Sequence, residues 1–352
     1  MALDLSSDVV DLTAALVDLP SESLDEQLIA DEVEIALRRL PHLSVVRDGH
    51  TIVARTDLGR AERVVIAGHL DTVPANGNLP SRLADGVLHG LGSCDMKGGV
   101  AVALRLAATV PEPTRDVTYV FYEAEEIAAV HNGLGRLARE HPAWIEGDFA
   151  ILMEPSNAGV EAGCQGTMRV DLRTTGERAH SARSWMGSNA IHALAPALAT
   201  LEAYVSREVE IDGLTYREGL NAVAISGGVS GNVVPDAASL TVNFRFAPDR
   251  SEEQALAFLR ETFPQYDLAV TDSAPGALPG LQRPAAAAFV EAVGAEVGPK
   301  FGWTDVAKFT VLGVPAVNYG PGDPLYAHKA DEQVPVAHLR GVEDKLRTWL
   351  SR

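Results

Sequence analysis

Cysteine is nearly missing from this chain, with two residues, Cys94 and Cys164, in 352 positions and no C-x-x-C spacing. That excludes a disulfide framework and a thiolate-held structural zinc, and it fits a cytoplasmic setting. Cys94 adjoins Asp95 and reads as a small buried spacer rather than a ligand. Long apolar runs are missing too: no stretch approaches the ~20 residues of a membrane span. The segment Met1–Asp8 has no basic n-region, so no secretory leader is expected. Positive charge is scarce. Against 48 Asp and Glu there are 29 Lys and Arg, a formal net charge of −19, which argues against nucleic acid and anionic membranes as partners. The acidity itself reads as a solvated surface and leaves room for a local basic pocket. There is no internal repeat and no low-complexity tract.

What is present is enough apolar residue, 46% of the chain, for a substantial core, and a length that suits two domains. Helical spacing over residues 8–40 breaks at Pro20. Short apolar strands at 43–47, 51–55, 63–67, 116–122 and 149–153 then alternate with helices at 98–109 and 131–140. This βαβ rhythm predicts an α/β fold, a mixed sheet sandwiched by helices with its chemistry at strand ends. The character changes near Gly166. Strands at 169–175, 221–226, 240–246 and 266–271, with helical runs at 188–205 and 252–263, read as βαββαβ. That order predicts an inserted α+β domain of split-βαβ, ferredoxin-like type. The expected boundaries are 1–167 plus 277–352 for the catalytic domain and 168–276 for the insertion.

Metal-binding side chains sit at the ends of the apolar runs. His69 and Asp71 follow Val64-Val65-Ile66-Ala67, Asp95 lies in Gly92-Ser93-Cys94-Asp95-Met96-Lys97-Gly98-Gly99, Glu125-Glu126 follows Tyr119-Val120-Phe121-Tyr122, and Glu154 follows Ile151-Leu152-Met153. His328 comes late, in a polar loop before the last helix. Carboxylates mixed with imidazole suit Zn²⁺, Co²⁺ or Mn²⁺ in a hydrolytic site. Five ligands and a spare glutamate exceed one tetrahedral ion and fit two ions sharing a carboxylate, the spare acid handling protons. Each residue also has a plainer reading. His69-x-Asp71 is a common surface pair; Asp95 is placed to cap a helix; Glu125-Glu126 suits the exposed first turn of a helix. Only the joint pattern favours a site.

Over nearly its full length the chain resembles the aminoacylase/carboxypeptidase group of co-catalytic di-zinc amidohydrolases. The resemblance is carried by Gly68-His69-Leu70-Asp71-Thr72-Val73-Pro74, Gly90 to Gly99, Glu125-Glu126, Glu154-Pro155, Gly231-Asn232-Val233-Val234-Pro235 and Ala327-His328-Lys329. Arg178-Ala179-His180-Ser181-Ala182-Arg183 and Phe301-Gly302-Trp303-Thr304-Asp305 look like the actinobacterial branch of succinyl-diaminopimelate desuccinylases, enzymes of lysine and peptidoglycan synthesis. The resemblance implies two divalent ions per chain, zinc with cobalt or manganese as alternatives. Asp95 would bridge them, with His69 and Glu154 at one ion and Glu126 and His328 at the other.

It further implies Glu125 as general acid/base, Asp71 as the group orienting His69, and His180 as a histidine reaching the partner subunit's site in a homodimer. The inserted domain would then serve as lid and dimerisation domain. Arg183 and Arg245 suit bidentate pairing with a dianionic N-acyl amino-acid substrate, and Asn232 and Thr304 are further substrate contacts. Two alternatives remain. One is the same machinery serving another N-acyl amino acid or a dipeptide. The other is a non-catalytic binding module, for which loss of Glu125 or a ligand would be expected. The chain departs from proteobacterial desuccinylases at Gly163-Cys164-Gln165-Gly166, where they carry a twin-arginine turn, and at Arg183, where they carry a tyrosine.

Overall fold

A computed structural model describes residues 3–352, so the first two residues of the Met1–Asp8 segment lie outside the description. Two compact units emerge. One holds the chain up to Gly163 with Pro279–Gly298 and Asp305–Arg352; the other holds Cys164–Leu278 with the short piece Pro299–Thr304. Among the described residues no helix is long and apolar enough to cross a membrane.

The first unit is built on a mixed sheet. Its central order is Thr51–Arg55, Asp116–Tyr122, Arg63–His69, Phe149–Leu152, Ala316–Asn318. The last four run parallel and the first pairs antiparallel to Asp116–Tyr122. Asp116–Tyr122 is buried along its whole length, as expected for a strand covered on both faces. Helix Lys97–Thr109 is buried nearly all round through its first two turns. Gly99 allows that: a Cβ there would collide with the Met153 carbonyl, so only glycine lets this helix approach so near the end of the neighbouring strand. Helix Val9–Val17 starts at Asp8, whose side chain accepts from Val10 N at 2.9 Å, and it buries Val9, Leu12 and Leu16. Because the four strands are parallel, their C-terminal ends line one edge, and His69, Tyr122 and Leu152 deliver the chain there together.

The second unit is a four-stranded antiparallel sheet in the order Gly219–Gly227, Ala237–Phe246, Gly166–Thr175, Asp267–Ala274. With helices Ala195–Glu202 and Glu252–Thr262 it has the βαββαβ order of a split-βαβ fold. Alternate residues of the two central strands, Met168, Val170 and Leu172 with Leu240, Val242 and Phe244, form one core with Leu194, Ala197, Leu259 and Phe263. Helix Glu252–Thr262 opens on a full capping box between Ser251 and Gln254.

Several elements differ from the sequence expectation. The run at 188–205 is not one helix: a 3₁₀ turn at His192–Leu194 precedes an α-helix that begins only at Ala195. Pro196 supplies no N–H and therefore sits in that helix's first turn. A hairpin, Glu208–Ile211 with Leu214–Arg217, stands between that helix and the next strand. Its sequence marker is Asp212-Gly213, both at positive φ, 51° and 79°, the two-residue turn that closes hairpins. Asp85-Gly86 does the same between Arg82–Ala84 and Val87–His89.

Candidate metal centre

His69 is the last residue of its strand and is buried. Its Nε2 lies 3.1 Å from Asp95 Oδ1, and its Nδ1 lies 3.0 Å from the Asp71 carbonyl oxygen. The Asp71 carboxylate, expected to orient this ring, stands 3.5 Å from Nδ1. It also accepts from the backbone N–H groups of Glu125 and Glu126 and from the Ser23 hydroxyl. Burial opposes a charge on His69, but Asp71 and Asp95 outweigh it and hold the ring's pKa well above the ordinary histidine value.

Asp95 does not cap the following helix. The N-cap is Met96, and no side chain bonds there. The two Asp95 oxygens face two imidazoles, Oδ1 toward His69 and Oδ2 toward His328 Nε2 at 3.6 Å. His328 is exposed, holds a left-handed φ of 64°, and meets Glu126 at 2.9 Å and 3.0 Å. A bulky residue in that conformation is strained, and such strain gathers at functional positions. The Glu126 hydrogen bond is the main cause that lifts its pKa to about 9.

The ligand atoms of His69, Asp95 and Glu154 lie within 4.8 Å of one another, and so do those of Asp95, Glu126 and His328. Asp95 belongs to both groups. Glu154, reached through Met153 just past its strand, is buried. These donors, two imidazole nitrogens and several carboxylate oxygens converging on one shared aspartate, suit a pair of divalent cations.

Glu125 and Glu126 are not in the first turn of a helix. They lie in a loop that becomes helical only at Gly133. Burial pushes the Glu125 carboxyl well above the usual range; His69 opposes this, and Glu154, Asp305 and Glu126 reinforce it. The loop is tied at both ends by residues the sequence reading did not pick out. Glu123 accepts from Thr51 and pairs with Arg136 at 2.6 Å, and Glu26 Oε1 accepts from Ala124 N at 3.1 Å. At the far end Asn132 caps helix Gly133–Glu140 and donates to Asp305 Oδ2 at 2.8 Å. Asp305 is fully buried. A buried acid after an apolar-flanked Trp303-Thr304 was the available signal for it.

Of the remaining candidates, His180, Arg183, Asn232, Arg245 and Thr304 all belong to the second unit. His180 and Asn232 are brought together: Ser181 N donates to Asn232 O at 2.9 Å, and His180 pairs across to Val233. His180 Nδ1 accepts from Ala182 N at 3.1 Å, starting the turn that carries exposed Arg183. Arg245 lies on strand Ala237–Phe246 partly buried, its pKa lowered by burial and by Arg169. Thr304 is buried, and its carbonyl faces the Cys164 thiol at 3.6 Å. Both cysteines are buried and neither forms a disulfide, and burial pushes the Cys94 thiol far up, in keeping with a spacer role.

The model of peptidase family M20/M25/M40 matches residues 65–350. A protein of Mycobacterium tuberculosis (strain H37Rv), provisionally named a succinyl-diaminopimelate desuccinylase, is 58% identical over 99% of both chains. The succinyl-diaminopimelate desuccinylase of Corynebacterium glutamicum is 49% identical over 99% of this chain and 98% of its own. Among solved structures, a Bacillus subtilis protein described as a dinuclear metal-binding peptidase shares the fold with a TM-score of 0.71 at 15% identity, covering 98% of this chain and 97% of that one.

Proposed function

The chain belongs to peptidase family M20/M25/M40, and from that footing we propose that it is a metal-dependent amide hydrolase cleaving N-succinyl-LL-2,6-diaminopimelate to succinate and LL-2,6-diaminopimelate. The full-length relatives at 58% and 49% identity carry the desuccinylase name. The observation that supports the chemistry is the position of Asp95, one oxygen toward each of two donor sets. In this reading two divalent cations are held by His69, Asp95 and Glu154 and by Asp95, Glu126 and His328. When bound, they supply Lewis acidity that polarises the amide carbonyl and acidifies water.

The chain's own work is proton transfer and alignment. Glu125, with its pKa lifted by burial, takes a proton from the attacking water and delivers it to the departing amine nitrogen, so one group serves both steps. Asp71 keeps Glu125 and Glu126 in place through their backbone N–H groups. To the second unit we assign substrate contact: Arg183 and Arg245 for carboxylates, Asn232 and Thr304 as hydrogen-bond partners, and His180 as donor to the carbonyl oxygen where negative charge develops. The same unit would join two copies in a homodimer. Its sheet ends in strand Gly219–Gly227, exposed along nearly all its length.

The test is a substrate panel on the zinc- or cobalt-supplemented protein: N-succinyl-LL-2,6-diaminopimelate, other N-acyl amino acids, and dipeptides. The highest kcat/KM is expected on the first, with activity lost on chelation and regained on adding metal. A preference for a dipeptide or another acyl group would transfer the same centre to a different substrate.

A further inference from the structure

Glu332 closes the polar loop that carries His328, and it is buried to 2% exposure. Its Oε1 accepts the backbone N–H groups of Cys94 and Asp95, each at 3.0 Å. Gly92 N–H also hydrogen-bonds its carboxylate, and its backbone carbonyl accepts Gly90 N–H at 3.0 Å. One residue therefore engages four backbone donors across the turn from Gly90 to Asp95. That turn has few stiffening elements of its own, with Gly90 and Gly92 at φ of 153° and 76°. Past Glu332, strand Gln333–Pro335 pairs with Val87–His89, just before the turn begins. Glu332 is also the leading counter-charge for the buried Lys97 ammonium. A carboxylate withdrawn from water is costly unless hydrogen-bonded, and burial still pushes the Glu332 carboxyl up to about 7; the hydrogen bonds it collects all come from the turn that ends at Asp95, the residue shared by the two donor sets.

We propose that Glu332 is a positioning residue for the paired-cation centre. By gripping the backbone of the Gly90–Asp95 turn it aims the two Asp95 oxygens in their separate directions, and by standing four residues from His328 it fixes the spacing of the second donor set. It touches neither cation nor substrate. The carboxylate form matters because an anion accepts several N–H groups at once. An amide in its place can keep the two bonds at Oε1, but it removes the negative charge that faces Lys97 and sets an NH₂ in the position of the other oxygen.

This inference rests on the two-cation reading, and the experiment separates them. Zinc and cobalt binding to the full chain is measured by titration calorimetry and metal analysis for wild type, Glu332→Gln and Glu332→Ala. Cobalt visible spectra, kcat and KM are recorded alongside. Wild type should hold two ions. Glu332→Gln should stay folded by circular dichroism while cation affinity and kcat drop about 10–100-fold, the range for groups that orient metal ligands. KM should change little and the cobalt spectrum should alter. If Glu332→Gln merely lowers the melting temperature of the metal-free protein, leaving affinity and spectrum of the folded fraction unchanged, the positioning role is overturned. Should Glu332→Ala fail to fold, Glu332→Gln decides, since it preserves volume. A wild-type chain holding fewer than two ions would remove the reading beneath the proposal, and the proposal with it.

Discussion

The Asp71 carboxylate accepts the backbone N–H of Glu125 through Oδ1 at 3.0 Å and that of Glu126 through Oδ2 at 3.1 Å. Both oxygens are thus committed to the loop that carries the proposed base and a proposed ligand, with the Ser23 hydroxyl at 2.7 Å from Oδ2 as a further donor. The nearby His69 ring meets the Asp71 backbone carbonyl at 3.0 Å and its carboxylate at 3.5 Å. The aspartate of the H-x-D pair thus serves the histidine beside it and the acid pair at sequence distances of 54 and 55 residues.

Asp71→Asn tests that arrangement. Whichever way the amide turns, its NH₂ faces one of two backbone donors, leaving a buried N–H unpaired at a cost of about 1–3 kcal/mol. The expected result is a folded protein with kcat reduced about 10–100-fold. Steady-state kinetics together with circular dichroism read both quantities. An unaltered kcat would show that the loop holds its shape without the carboxylate.

Glu125→Ala separates base from ligand. Glu126 faces His328 directly, whereas Glu125 has its backbone pinned and its carboxyl desolvated. The variant should retain two bound ions by metal analysis and lose about 10²–10⁴-fold in turnover, the usual contribution of a positioned acid/base. Loss of one ion with the activity would make Glu125 a ligand and end the distinction.

Residue chemistry and period explain which parts of this chain were legible beforehand. The strands Thr51–Arg55 and Asp116–Tyr122 coincide with their apolar runs, because strands buried on both faces read as near-continuous apolar stretches; their buried polar residues, Thr51, Asp116 and Thr118, are exceptions. The helix Val336–Leu350 was visible from its apolar period and begins just after Pro335. Hairpin Glu208–Arg217 lies outside the elements expected from sequence although its signal is present: Glu208-Val209-Glu210-Ile211 alternates polar and apolar residues before the Asp212-Gly213 turn. The candidate ligands were legible as acids at strand ends. Asp305, Asn132, Glu26 and Glu123 were not. Glu26 and Asp305 act on the loop from distant stretches of chain, and no local pattern marks an acid whose partner is a backbone N–H 98 residues away, as for Glu26 and Ala124. Glu123 and Asn132 flank the loop, and it is their partners, Thr51 and Asp305, that are distant.

Asp116 gives a pH-dependent prediction remote from the metal centre. Burial acts to raise its pKa, but the N–H groups of Leu58 and Arg60, the Thr56 hydroxyl and Arg63 prevail and hold it below the ordinary aspartate value. A carboxyl depressed in the folded state adds stability that is present above the unfolded value and is lost as pH falls through the folded one. Asp116→Asn should therefore lower the melting temperature near neutrality, and the gap from wild type should narrow as pH drops below about 4. Thermal unfolding of both proteins across that range checks it. A gap that stays constant into acid would mean the ionised form contributes nothing.

The exposed edge strand makes the homodimer testable. In Gly219–Gly227 the segment Asn221-Ala222-Val223-Ala224-Ile225-Ser226 carries no charge and no proline to blunt a free edge, and its one irregularity is a bulge between Ala222 and Ala224. Val223 and Ile225 are each 56% exposed. A second copy related by a two-fold axis could pair along this edge and cover both. Wild type is expected to sediment as a dimer at micromolar concentration, and Ile225→Lys as a folded monomer. A wild-type chain that stays monomeric throughout would sink the interface. If the dimer holds, mixing inactive His180→Ala with inactive Glu125→Ala decides where His180 works. Recovery of turnover places it in the partner's site, since half of the heterodimer's sites then combine an intact Glu125 with an intact His180. Heterodimers that form and stay inactive confine His180 to its own chain.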